Sequence, residues 1–178
     1  DVRLIDQRVT STFEADMDEA IGPETKLIGL TAITGQQIKY ALKVTKQVKA
    51  RYPDIPICWG GVHATLVPEQ TASHPLVDYC VVGDGDLVFC ELYERLRDGL
   101  PPDDLRGLVY KEKNGAVRSN VGEVELKTVT EEGSYMVVRK NGSADVIRDL
   151  DSLPELPYEL LNMDKYNVFF TEDGRKSA

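Results

Sequence analysis

The sequence is poor in the residues that build most reaction centres. Its 178 residues include two histidines, His63 and His74, and three cysteines, Cys58, Cys80 and Cys90. No cysteine stands in a CxxC or other short ligand spacing, which argues against a disulfide framework and for a reducing, cytoplasmic setting. No apolar run approaches the ~18 residues of a membrane-spanning helix, and nothing resembles a signal peptide. Lys and Arg are scattered among acids, and the net charge of −9 is unsuited to a phosphate backbone. Neither nucleic acid nor membrane is therefore an expected partner. There is no Walker loop and no GxGxxG dinucleotide fingerprint. No Ser/His/Asp or Cys/His set is spaced for nucleophilic catalysis, so no catalytic residue is assigned.

What is present is an ordinary globular composition, 42% hydrophobic and 29% charged, enough for one domain with a real core and a small appendage. Asp1 to Asp6 reads as a strand without a lead-in, with Val2 to Ile5 as its apolar part. Thr171 to Ala178 is a polar tail. Both ends read as cuts through a longer chain.

Between them, strands alternate with helices. Thr10 to Ile21 places Phe13, Met17, Ala20 and Ile21 on one helical face before Gly22-Pro23. Lys26 to Ile33 holds the apolar run Leu27-Ile28-Gly29-Leu30, as expected of a strand buried on both faces. A helix follows to about Tyr52, with Ile38, Ala41, Leu42, Thr45 and Val48 inward and Lys39, Lys43, Lys46 and Lys49 toward water. Ile55 to Trp59 is the next strand, Pro68 to Ala72 a short helix and Val77 to Val82 another strand. Then comes a helix holding Phe89, Leu92, Tyr93 and Leu96, with Asp86 at its N-cap and Gly99 at its C-terminal stop. This alternation predicts an α/β fold with a Rossmann-like (flavodoxin-like), doubly wound parallel sheet over residues 1–100.

After Pro101-Pro102 the pattern becomes that of a small β-hairpin appendage, residues 101–149. One hairpin is expected from Gly107–Tyr110 and Val117–Ser119 around Asn114-Gly115. A second is expected from Tyr135–Arg139 and Ala144–Ile147 around Asn141-Gly142. Residues 150–178, with Pro154 and Pro157, read as an extended linker with a short helical turn. The three cysteines read as small buried hydrophobes.

In open α/β sheets ligands sit over the carboxyl ends of the parallel strands. Three such ends stand out. The first is Thr31-Ala32-Ile33-Thr34-Gly35-Gln36, the second Trp59-Gly60-Gly61-Val62-His63-Ala64-Thr65 and the third Gly83-Asp84-Gly85-Asp86, with Thr31 to Gly35, Gly60 to His63 and Gly83 to Gly85 as the candidate ligand contacts. Glycine lets the backbone approach a ligand closely, and the hydroxyls of Thr31 or Thr34 can bond a ligand edge. Equally, Gly60-Gly61 can be only a tight turn and Thr34 only a helix cap; the coincidence of three such loops tips the balance toward a binding site. His63 follows the double glycine and can line that crevice, but a metal role would need further ligands that are not nearby. His74, before Pro75, reads as structural or solvated. Asp84 and Asp86 fit a turn and a cap better than an acid/base pair.

The run Ile55 to Thr65, Pro68-Glu69 and then Val77 to Asp86 resembles the cobalamin-binding domain of radical S-adenosylmethionine enzymes, of the iron–sulfur oxidoreductase type. That pattern is a strand ending in Gly-Gly-x-His-Ala/Pro-Thr and a later strand ending in Gly-Glu-Gly-Glu, where this chain has Asp84 and Asp86. Leu105 to Tyr110 and Leu150 to Pro154 are similar to the family's lead into its catalytic barrel, while residues 122–145 look longer than the usual link. The resemblance implies cobalamin across the strand ends, with its nucleotide tail near Gly60-Gly61 and its corrin edge near Thr31 to Gly35. It also implies a radical S-adenosylmethionine barrel in the same parent chain, with an iron–sulfur cluster and S-adenosylmethionine, beyond Ala178. The family's first strand and any DxHxxG axial-ligand motif would precede Asp1. A sheet lacking that central strand is expected to rearrange its pairing or exchange strands between chains, because unpaired edges are costly. The competing readings are a sensory or regulatory α/β module and a purely structural platform, neither of which binds cobalamin.

Overall fold

In a computed structural model, which describes residues 2–7, 9–113, 126–129, 135–140, 142, 144–161 and 163–166, the alternating pattern becomes a sheet with helices on both faces. Strands β1 (Ile28–Thr31), β2 (Ile57–Gly60) and β3 (Tyr79–Val81) run parallel. They are linked by helices α2 (Gln36–Arg51), α3 (Val62–Leu66) and α4 (Pro68–Ala72), after α1 (Phe13–Ala20) and before α5 (Asp86–Asp98). The short α3 was not anticipated; it turns the chain directly after the double glycine. Strands β4 (Leu108–Lys113), β5 (Leu126–Val129) and β6 (Tyr135–Lys140) continue the same sheet antiparallel, in the order β1-β2-β3-β4-β6-β5.

The double winding follows from strand alternation. Trp59 and Cys58 are consecutive and so point to opposite faces. On one face the Trp59 indole N–H donates to Thr45 Oγ1 of α2 at 3.1 Å, and Thr45 in turn donates to the Ala41 carbonyl at 2.8 Å. On the other, Cys58 packs with Val81, Leu108 and Tyr110 of the sheet and with Val88 and Leu92 of α5. Leu92 and Leu108 are fully buried, each contributing about 1.5–3 kcal/mol through removal of apolar surface from water. Gly29 of β1 lies under α5, where a Cβ would stand 2.7 Å from the Phe89 ring.

Several expectations need correction. Val2 to Ile5 forms no strand, and Val2 and Leu4 are exposed; a strand needs a neighbouring ladder, and the described sheet has none for this segment. Strand β1 pairs with β2 alone among the described residues and is exposed at Gly29 and Thr31, so it is an edge strand and not one buried on both faces. In the second half, β6 forms where expected, but Ala144 to Ile147 is not a strand. Its partners are β4 and β5 instead, and Ala144 packs beside Gly107. Val117 to Ser119 lies outside the described residues.

Lys49 does not face water. Its ammonium donates to the carbonyls of Pro53 (3.2 Å) and Ile55 (2.9 Å) and pairs with Asp78 at 2.7 Å. Asp78 also accepts from the Ile57 N–H at 2.7 Å, while its own N–H donates to the Ile57 carbonyl at 3.0 Å. This clamp fixes the start of β2 against β3. Val44 joins the inner stripe of α2, and Asp86 is the first residue of α5, not its cap; Gly85 takes that place without a side-chain bond. Gly99 does end α5, at φ 69°. His74 is structural: its Nδ1 accepts from the Leu76 N–H, and partial burial beside Lys111 and Lys46 lowers its pKa.

By contact the chain divides into two units, Thr25–Arg148, which holds the sheet, and Asp1–Glu24 with Asp149–Ala178. In the second, the Tyr166 hydroxyl donates to Asp6 at 2.9 Å across 160 residues of sequence. The 150–166 stretch forms three short 3-10 turns, Leu150–Ser152, Tyr158–Leu160 and Met163–Lys165.

Replacing Thr45 with Val keeps its shape but strands the Trp59 N–H in the core, a loss expected to cost about 1–3 kcal/mol; urea unfolding followed by emission of this single tryptophan measures it. The cysteines divide by position. Burial raises the pKa of Cys58 well above the thiol range and pushes Cys80 up to about 12, whereas Cys90 is exposed and was wrongly expected in the core. One thiol per native chain is therefore expected to react with a thiol reagent at neutral pH, and three after unfolding.

Candidate functional site

Because β1, β2 and β3 are parallel neighbours, their carboxyl ends share one edge of the sheet, and all twelve residues singled out from the sequence lie at the strand ends, loops and helix starts there. Register sets them side by side. Thr31 pairs with Gly60, and one residue further on the Ala32 N–H donates to the Gly60 carbonyl at 3.1 Å. The Ala32 carbonyl then accepts from the His63 N–H at 3.1 Å. Ala32 is fully buried, so the first two loops are fastened through its backbone.

Gly61 is the tightest point. Its φ of +85° and ψ of −169° define a conformation essentially reserved for glycine. A Cβ there would stand 2.7 Å from Thr31 Oγ1 and 3.1 Å from the Ala32 carbonyl. Gly60, by contrast, has open space where its side chain would be. So Gly61 is required by the fold of the loop, and Gly60 leaves room above it. Gly35 (φ 85°) and Gly83 (φ 83°) take the same left-handed region in the loops after β1 and β3.

Apart from the acids and His63, the side chains around these loops are apolar, hydroxyl or amide. Ile33, Val62 and Leu87 are exposed, one beside each strand end. Thr31, Thr34 and Asp84 are exposed as well, and Gly85 precedes α5. Thr34 makes no cap: Gly35 stands at the N-cap of α2 without a side-chain bond, and Gln37 Oε1 instead accepts from the Ile33 N–H at 3.2 Å. The His63 ring is half-buried and lies edge-on to Trp59, ring centroids 6.3 Å apart. Among the described residues no group of three or more His, Cys, Asp or Glu could hold a metal ion. No Lys or Arg occurs in residues 31–37, 60–66 or 82–87. An arrangement of exposed apolar side chains, hydroxyls and backbone amides suits a large, largely neutral ligand better than a polyphosphate.

Reading residue types alone missed Gln37 and reached Thr65 only as the end of the second loop's motif. Gln37 steadies the first loop. Thr65 accepts from the Gly83 N–H at 3.0 Å, joining α3 to the third loop. Its place four residues after Gly61 puts it on the first turn of a helix, but a partner 18 residues on leaves no mark in the sequence.

The model of the B12 binding domain family matches residues 1–93. An uncharacterised methyltransferase from Pyrococcus horikoshii is 30% identical over 170 residues, covering 94% of this chain and 32% of the relative. Cytidylyl-2-hydroxyethylphosphonate methyltransferase from Streptomyces wedmorensis is 22% identical over 145 residues, covering 82% of this chain and 27% of the relative. Among solved structures, the radical S-adenosylmethionine methyltransferase TsrM from Kitasatospora setae, with cobalamin and a 4Fe-4S cluster bound, superposes with a TM-score of 0.53. The match is at 18% identity over 83% of this chain and 24% of that one, which supports the fold. The chain thus spans about a third or less of the proteins it matches.

Gly61→Ala is expected to destabilise the protein by about 1–3 kcal/mol through its backbone conformation alone, with the clash against Thr31 and Ala32 in addition. Gly60→Ala is expected to fall within about 0.5 kcal/mol of the parent. Equal unfolding midpoints for the two variants would contradict the geometry described.

Proposed function

We propose, for a chain that belongs to the B12-binding domain family, that these three loops hold cobalamin for a radical S-adenosylmethionine methyltransferase. The observation that carries this is the glycine cradle at Gly60-Gly61, closed from below by Thr31 and Ala32 and open above. The residues fit the group. Cobalamin is a broad macrocycle rimmed by amides, and the strand ends offer exposed apolar side chains, hydroxyls and close backbone. Gly60, Gly61, Val62 and His63 would take its nucleotide tail, Thr31 to Gly35 the corrin edge, and Gly83, Asp84 and Gly85 the remaining side.

When bound, cobalamin supplies a cobalt centre able to accept and donate a methyl group. The chain's own work is to bind and orient. Ile33, Val62 and Leu87 would cover apolar ligand surface and displace water. The loops, being tied by backbone hydrogen bonds, present their donors without reordering. His63 lines the crevice in this reading and is not assigned to cobalt. Methyl transfer is favoured over cyclisation because the relatives named above are methyltransferases. The iron–sulfur cluster and S-adenosylmethionine would be held by a barrel elsewhere in the same protein.

The test is an absorbance titration of the protein at its full natural length with hydroxocobalamin. A saturable shift of the corrin bands at one cofactor per chain, lost in Gly61→Ala under conditions where that variant is folded, is expected. Absence of any shift would instead favour a regulatory or purely structural module and overturn the proposal.

A further inference from the structure

Threonine hydroxyls inside helices habitually turn back to the carbonyl four residues earlier. Two threonines of this chain do so: Thr45 donates to Ala41 and Thr71 to Val67, both at 2.8 Å. Thr65 departs from that habit. Its backbone N–H binds the Gly61 carbonyl at 3.0 Å, but its Oγ1 accepts from the N–H of Gly83, 18 residues further along, also at 3.0 Å. One residue therefore grips both glycine loops, that after β2 through its backbone and that after β3 through its side chain.

The Gly83 loop has reason to need this. Gly83 sits at φ +83° with nothing within 4 Å of where a side chain would be, so packing does not hold it. The chain is secured just before it, where the Val82 N–H donates to the Gly107 carbonyl at 2.9 Å, and just after it, where Phe89 donates to Gly85 at 2.8 Å. Between those points the Thr65 hydroxyl is the described contact on the backbone. It fixes a left-handed residue that an unconstrained glycine would leave at any of several conformations.

We infer that Thr65 is a positioning residue: it sets the loop after β3 in the conformation that receives the ligand and makes the loops after β2 and β3 act as one rim. This rests on the cobalamin reading for the identity of the ligand, but not for the coupling of the loops. The ligand-free and ligand-bound consequences can be measured separately.

The experiment compares Thr65→Val and Thr65→Ala, which remove the acceptor, with Thr65→Ser, which keeps it, in the full-length protein. Hydrogen exchange of the Gly83 amide, without cofactor, is expected to quicken about tenfold in the Val and Ala variants, the mark of a local opening. The dissociation constant for hydroxocobalamin is expected to rise about tenfold in the same two variants, and Ser is expected to restore both within about twofold. A merely structural side chain would shift the unfolding midpoint without this paired local and binding response. Unchanged Gly83 exchange in Val or Ala, or failure of Ser to rescue, overturns the inference. If the parent protein itself binds no cobalamin, the cofactor reading fails, and the exchange comparison still decides whether Thr65 holds the loop.

Discussion

A strand buried on both faces must find every polar partner inside the protein, and β2 is such a strand. Ile57, Cys58 and Trp59 are buried to within 2% exposure. An unpaired donor among them would cost about 1–3 kcal/mol. The fold meets this constraint at each level. Neighbouring strands take up the backbone through the β1 and β3 ladders. Thr45 takes the indole N–H. At the start of the strand Asp78 takes the Ile57 N–H and is itself held by Lys49. With the beginning and middle of β2 fixed so closely, its end has little freedom. Gly60 and Gly61 emerge at a set height beside Thr31 and Ala32, and the geometry of the proposed ligand edge follows from there.

That edge works through backbone more than through side chains. Among the described residues no group of three or more His, Cys, Asp or Glu gathers at the strand ends to hold a metal ion. What the edge has is left-handed glycine at Gly35, Gly61 and Gly83, each allowing a sharp exit from a strand without a Cβ in the way. In the proposed reading such a surface binds and orients. It can hold a broad prosthetic group and keep its reactive centre in place, which is the division of labour expected when the cofactor carries the difficult chemistry. The acidic flank at Asp84 and Asp86 works against highly charged phosphate ligands, and Asp86 is at ease in the first turn of α5, where the helix dipole favours a negative charge.

Much of this was legible in the sequence because periodicity reports burial. The stripe Ala41, Thr45 and Val48 marked the inner face of α2, and the apolar runs marked β2 and β3. The resemblance to a cobalamin-binding domain rested on the same loops that the structure brings to one edge. What was not legible depends on partners distant in sequence. An apolar run at Val2 to Ile5 reads as a strand, yet pairing decides the matter and none is described. Lys49 reads as a solvated lysine until Asp78 and two carbonyls are placed around its ammonium. Asn141-Gly142 suggested a hairpin with the following residues, but β6 found better partners in β4 and β5, while Gly142 accepts from the Gly107 N–H at 2.8 Å. Cys90 shares its helix with Val88 and Leu92 but lies on the opposite side, a difference the apolar character of cysteine conceals.

The same nonlocal bonds join the separate loops into one edge. From β1 the connection runs through Ala32 to Gly60 and back from His63 to Ala32, passes through Thr65 to Gly83, and continues from Val82 to Gly107 and from Gly107 to Gly142. Each bond taken alone contributes about 1 kcal/mol. Arranged in series, they join three loops that, in the proposed reading, would otherwise each have to be ordered on binding. Ordering cost is subtracted directly from affinity, at about 0.5–1.5 kcal/mol for each mobile side chain immobilised. An edge built largely from glycine, the residue with most freedom to lose, has the greatest need of such bonds. The flexibility that lets the backbone approach a ligand and the lattice that restrains it are therefore two parts of one requirement. The lattice extends past β3 into the segment that carries Gly107, so this edge draws on both the parallel and the antiparallel parts of the sheet.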